Sequence, residues 1–173
     1  MMIFEIDVSG EDLFNKDYTI VVAEKNGNSA EPLIYGYKFN EQTIQILKSR
    51  HGEGRYKYGS SHTQKALLKI RVYSIVIHYI FEFIHSQKKI LDDGINLVLC
   101  RDFSGRENDI RANLKYLLTD IQKLQINSIY FCKLDKGSNA DRYAFLMRKD
   151  RKNTMKNNYV TISLDQFEQY LKK

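Results

Sequence analysis

The chain has 173 residues, 43% of them hydrophobic and 28% charged, which suits one folded domain with a real core and excludes a low-complexity or fibrous chain. Its formal net charge is +6, from 27 Lys and Arg against 21 Asp and Glu, which is compatible with a nucleic-acid partner without identifying one. Cys100 and Cys132 lie in apolar runs and are expected to be small core residues; together with a start, Met1-Met2-Ile3-Phe4, that lacks a basic signal region, they point to a reducing, cytoplasmic setting and no membrane.

Residues 2–8 and 18–24 are expected to be strands, the second carrying the β-branched run Thr19-Ile20-Val21-Val22-Ala23. Asn26-Gly27-Asn28 is a turn signal, and residues 32–39 follow as a third strand, so the first three strands form an antiparallel meander. Asn40 caps a short helix over 41–49, with Ile44 and Leu47 on one face. The stretch 51–60 is loop-like, with three glycines and aromatics interleaved with cations. Residues 62–87 form a long helix whose apolar surface is interrupted too often, by Lys69, Arg71, His78 and Glu82, to span a membrane.

Asp92-Asp93-Gly94 turns the chain into an apolar strand over 95–100, expected to be central and covered on both faces. Ser104 is placed to cap a helix over about 105–124, and residues 126–134 form a fifth strand. Residues 142–148 fit helix or strand. The segment 148–158 is basic and polar and is expected to be mobile. A last strand at 160–162 and a short helix at 165–171 close the chain. Residues 1–173 thus form a single α/β domain with a mixed five-stranded sheet and flanking helices.

No phosphate-binding glycine loop, dinucleotide fingerprint, Ser/His/Asp arrangement or zinc spacing is present. What stands out is a pair of aspartates where hydrophobic runs give out, Asp7 after Ile3-Phe4-Glu5-Ile6 and Asp102 after the 95–100 strand. Carboxylates at the rim of a sheet lie where ligands bind, and they are the hard donors that Mg²⁺ and Mn²⁺ prefer. Either one alone reads equally as a turn or capping residue. If their strands are sheet neighbours, the two carboxylates should lie within about 4–7 Å and could share ions ~4 Å apart.

The run Ile6-Asp7-Val8-Ser9 resembles the opening of the PIWI nuclease domain of Argonaute proteins, a branch of the ribonuclease H-like superfamily. Leu97-Val98-Leu99-Cys100-Arg101-Asp102, followed by Gly105-Arg106-Glu107-Asn108-Asp109-Ile110, is similar to that family's second signature. Lys133 and the stretch 139–145 with Arg142 look like its basic strand-to-loop segment. The resemblance covers roughly residues 3–147. It implies a ribonuclease H-like fold and a metal-dependent nuclease that cuts phosphodiester bonds with two Mg²⁺ or Mn²⁺ ions.

On that resemblance Asp7 and Asp102 are the metal ligands and catalytic acids, with Asp141 or Glu53 completing the site. Asp141 is the preferred third ligand, because related nucleases carry their last acid on a late helix. Glu82 fits a helix carboxylate or a solvated residue, and His62 and Asp165 have no motif support. The chain has no counterpart of the Argonaute partner domain that anchors a guide end. For nucleic-acid binding, the candidates are Arg55, Tyr56, Lys57 and Tyr58 in the loop, Arg142, and the tail cations Arg148, Lys149, Arg151 and Lys152. The rival reading is a non-catalytic nucleic-acid-binding module on the same fold; an interaction domain whose acids serve only as caps is a third.

Overall fold

Alternation along the first strand decides the layering. In β1 (Met2–Ser9), Phe4 and Ile6 point to one side of the sheet and Glu5 and Asp7 to the other. β2 (Thr19–Glu24) is buried on both faces: Ile20 and Val22 share the first side, Val21 and Ala23 the second. β3 (Ile34–Lys38) completes an antiparallel meander, as its short connections require. β4 (Ile95–Leu99) and β5 (Ile126–Phe131) add in parallel beyond β1, giving a five-stranded mixed sheet of order β3-β2-β1-β4-β5. The computed structural model describes residues 2–25, 31–87 and 93–173, so the expected turn at Asn26-Gly27-Asn28, and Asp92, lie outside the described residues.

Helices cover both faces. α1 (Glu41–Gly52) starts at Asn40, whose side chain accepts from the Thr43 N–H at 2.8 Å. α2 (His62–Gln87) is 26 residues long, so it runs about 39 Å across the first face and packs Phe81 edge-on against Phe4 at 5.1 Å. It is buried almost all round, because α3 (Glu107–Leu114) lies on its far side. Among the described residues, no helix is long and apolar enough to cross a membrane.

α3 differs from the expected helix at both ends. Ser104 does not cap it; Arg106 occupies the N-cap position without a side-chain bond. After Leu114 the backbone widens into a π-helical segment, Lys115–Ile121. The Gln122 side chain donates from there to His78 Nδ1 at 2.7 Å. His78 is buried, and burial pushes its ring down to about 4, so it is neutral.

The second face belongs to α4 (Asn139–Lys149), which settles the ambiguous 142–148 stretch as helix. Ser138 caps it by accepting from the Asp141 N–H, and Ala140, Ala144 and Met147 form its buried stripe. Gly36 on β3 permits this packing: a Cβ there would stand 2.7 Å from Met147 Sδ and 2.9 Å from Val21 Cγ2. The segment 148–158 winds around Asp150, whose carboxylate accepts from the Thr154 N–H and hydroxyl, the Met155 N–H and the Tyr159 hydroxyl. Residues 160–162 are not a strand. A single parallel bridge joins Gly36 to Tyr159, and Val160 and Ile162 instead fill the α2-side core above the short α5 (Leu164–Glu168).

Candidate functional site

Asp7 lies inside β1 and not past its end. It pairs with Val21 of β2, and β1 continues to Ser9. The rim is made by β4, which stops at Leu99 opposite Ile6. Cys100 still hangs on β1 through its N–H to the Ile6 carbonyl (3.0 Å), and the chain then turns away at Asp102. This stagger brings a carboxylate oxygen of Asp7, Cys100 Sγ and a carboxylate oxygen of Asp102 within 4.8 Å of one another. The expected neighbourhood of β1 and β4 is therefore present, with the two acids close enough to share a cation.

Cys100 was expected to be a small core residue, and it does pack against the α4-side core. What was not expected is that its thiol also lies within 4.8 Å of a carboxylate oxygen of each aspartate. Alternation puts Leu99 toward the α2-side core and Cys100 on the α4 side with Val98, but which residues stand there is set by the stagger of β1 and β4 and not by the run itself. Cys132 keeps the expected role and packs against the α4-side core.

Asp7 is 7% exposed, and no Lys, Arg or His forms an ion pair with it or with Asp102 among the described residues. Burial raises its carboxyl above the ordinary value, although the Val8 N–H at 2.8 Å and the Cys100 thiol favour the charged form. Asp102 is reached by solvent, yet loss of hydration around its carboxyl, followed by the charge of Asp7, pushes it up to about 6. Burial, then Asp102 and Asp7, push the Cys100 thiol up to about 12, so it is protonated and donates to Asp7. Two carboxylates of raised pKa without a basic partner make a site where a divalent cation supplies the missing charge.

Asp141, in the first turn of α4, stands beside Asp7 and raises its pKa by charge and by hydrogen bonding, but it is not among the residues whose ligand atoms lie within 4.8 Å of one another. Its own carboxylate accepts from the Gly137 N–H at 3.1 Å. Glu5, also 7% exposed, shares the face of Asp7 and feels both Asp7 and Asp135. Period-two alternation in β1 already carried that signal. Glu53 is elsewhere: it closes α1 and pairs with Arg55 at 3.1 Å. Glu82, His62 and Asp165 are exposed and join no metal-binding group among the described residues.

The nucleic-acid candidates separate by burial. Tyr56 is 1% exposed and donates to Glu168 at 2.9 Å, so its ring is core and not free to stack on a base. The Tyr58 hydroxyl accepts from Arg71 Nε, also at 2.9 Å. The aromatic-basic loop looked like a binding loop because sequence cannot tell an anchoring tyrosine from an exposed one. Arg55 and Lys57 remain exposed, Arg142 lies over Tyr143 and Lys149 over Phe145. Arg148 is half-buried at the end of α4, while Arg151 and Lys152 project from the turn beyond it. No protein-family model matches the chain, and no curated protein matches it at a significant level.

Proposed function

We propose that the chain is a metal-dependent nuclease of ribonuclease H-like type, with Asp7 and Asp102 as its principal metal ligands. The observation that carries this reading is a buried aspartate inside β1 and a solvent-reached aspartate just past the end of the neighbouring parallel β4, together with a thiol, with no ion pair to either acid among the described residues. Structural networks also shift pKa values, but they do so with paired charges. The meander, the parallel β4 and β5 with intervening helices, and the acid in the first turn of α4 support the same reading.

Asp7 and Asp102 would hold Mg²⁺ or Mn²⁺, and Asp141 would complete the set. A bound ion pair of this kind activates a water and neutralises charge on the leaving oxygen of a phosphodiester. The residues themselves hold the ligand oxygens in place. β1 fixes Asp7 between Val8 and Cys100, and the capped first turn of α4 fixes Asp141.

The test is cleavage of single- and double-stranded DNA and RNA with Mn²⁺ or Mg²⁺. Wild type should cut at least one of them, and Asp7→Asn or Asp102→Asn should lose at least about 10²–10³-fold in rate with the fold intact by circular dichroism. Wild type inert on all four substrates would sink the nuclease reading and leave a non-catalytic nucleic-acid-binding module.

A further inference from the structure

An open cleft of about 870 Å³ lies at the same end of the sheet as the acids. Lys16, Lys38, Arg151 and Lys156 line it, against the two acids Asp17 and Glu41. Lys16, Arg151 and Lys156 are exposed and form no ion pair among the described residues. Lys38 is half-buried and spends two of its three N–H groups on the carbonyls of Met147 (3.1 Å) and Asp150 (2.7 Å). That bond anchors the turn carrying Arg151 and Lys156 to the end of β3. The Asp150 carboxylate, bonded to Thr154, Met155 and Tyr159, fixes the turn from within. The four cations therefore come from three separate segments that the fold holds around one opening.

Position gives the cleft its meaning. Ser9 pairs with Thr19 and Thr19 with Lys38, so Lys38 lies two strands across from the end of β1. Asp7 is two residues back along β1, which puts the two backbone positions roughly 12 Å apart. That distance equals about three to four stacked nucleotides at ~3.4 Å each. α4 links the two places, with Asp141 in its first turn beside Asp7 and the Met147 carbonyl at its last turn on Lys38.

We propose that this cleft binds the sugar–phosphate backbone of a nucleic-acid strand and leads it to the Asp7–Asp102 site. Delivery to that site rests on the nuclease reading; backbone binding rests on the cleft itself. Cations without paired anions at an open cleft suit the spaced charges of a phosphate backbone, and neutralising each phosphate releases counterions.

The experiment is fluorescence anisotropy with a short fluorescein-labelled oligothymidylate and metal-free protein in EDTA, repeated over a range of salt. The variant is Lys16→Ser/Arg151→Ser/Lys156→Ser, at exposed positions. The control, Lys48→Gln/Lys65→Gln/Lys115→Gln, removes the same charge from exposed helix positions. The cleft variant should bind at least about tenfold more weakly, with a salt slope flatter by about 2, from ~0.7 for each of three phosphate contacts. The control should change much less. Equal changes in the two variants, or none in the cleft variant, overturn the proposal. So does binding of wild type to phosphatidylserine vesicles with no binding to the oligonucleotide. Cleft-dependent binding in a protein that cuts nothing upholds the cleft and removes the nuclease reading; cutting with unaltered binding in the cleft variant does the reverse.

Discussion

Glu168 and Asp7 are both buried carboxylates, 2% and 7% exposed, and they live in opposite company. Glu168 accepts from Arg50 and from the Tyr56 hydroxyl, with Lys172 at 3.7 Å. It ties α5 to α1 and to the loop after it. Asp7 has Asp102, Asp141 and a thiol around it and no ion pair among the described residues. A buried acid with its charge balanced is fastening the fold together. One left among other acids costs stability in the metal-free protein, and such a cost is expected where a ligand later supplies the charge.

The comparison breaks first on stability. Glu168→Ala leaves Arg50 and Tyr56 without their acceptor and should cost about 3–5 kcal/mol in urea or thermal unfolding. Asp7→Asn keeps an oxygen for the Val8 N–H and removes an unbalanced charge, so the metal-free protein at neutral pH should become more stable, not less. A loss of stability in Asp7→Asn comparable to that in Glu168→Ala would place Asp7 among the structural acids.

Metal sharpens the same contrast. Mn²⁺ at about 100 times its Kd should stabilise wild type by ~2.7 kcal/mol, a rise of several degrees in Tm. Asp7→Asn should lose that rise, while Glu168→Gln, weakened as it is, should keep it. A shift that survives in Asp7→Asn would move the metal to some other site.

The smallest effect is the pH dependence. Asp7 and Asp102 hold protons more tightly in the fold than in the unfolded chain, Asp102 up to about 6. The contribution of Asp102 is therefore fully present below the ordinary carboxylate value near 3.8 and is lost as the pH rises through about 6, and that of Asp7 runs in the same direction. His78, held down at about 4, and Asp12, held down by Lys69, act in the opposite direction. The difference between wild type and Asp102→Asn isolates the site: the stability of wild type relative to the variant should fall between pH 4 and 6. A flat difference curve would mean that Asp102 has an ordinary carboxylate environment.

The sequence by itself determined the order and type of the long elements, because periodic runs carry that information locally, but not the helix over 142–148, the π-helical end of α3 or the non-strand 160–162. The α2 range, the meander and the parallel β4 all follow from apolar spacing and turn residues. It also singled out Asp7 and Asp102, which the fold brings together from β1 and the end of β4; of the two further acids that the resemblance offered, Asp141 stands beside Asp7 and Glu53 lies elsewhere. Only tertiary structure decided that Cys100 joins Asp7 and Asp102, because that depends on β4 ending while β1 runs on. Tertiary structure also turned Tyr56 from a candidate base-stacking ring into the hydrogen-bond partner of Glu168, 112 residues later in the chain. In the same way it gathered Lys16 and Lys38 with Arg151 and Lys156, from segments that share no local pattern. Periodicity reports which side of its own element a residue occupies. Which distant residue stands opposite is set by strand register and helix packing, and the chemistry of the acid site and the cleft depends on that second kind of information.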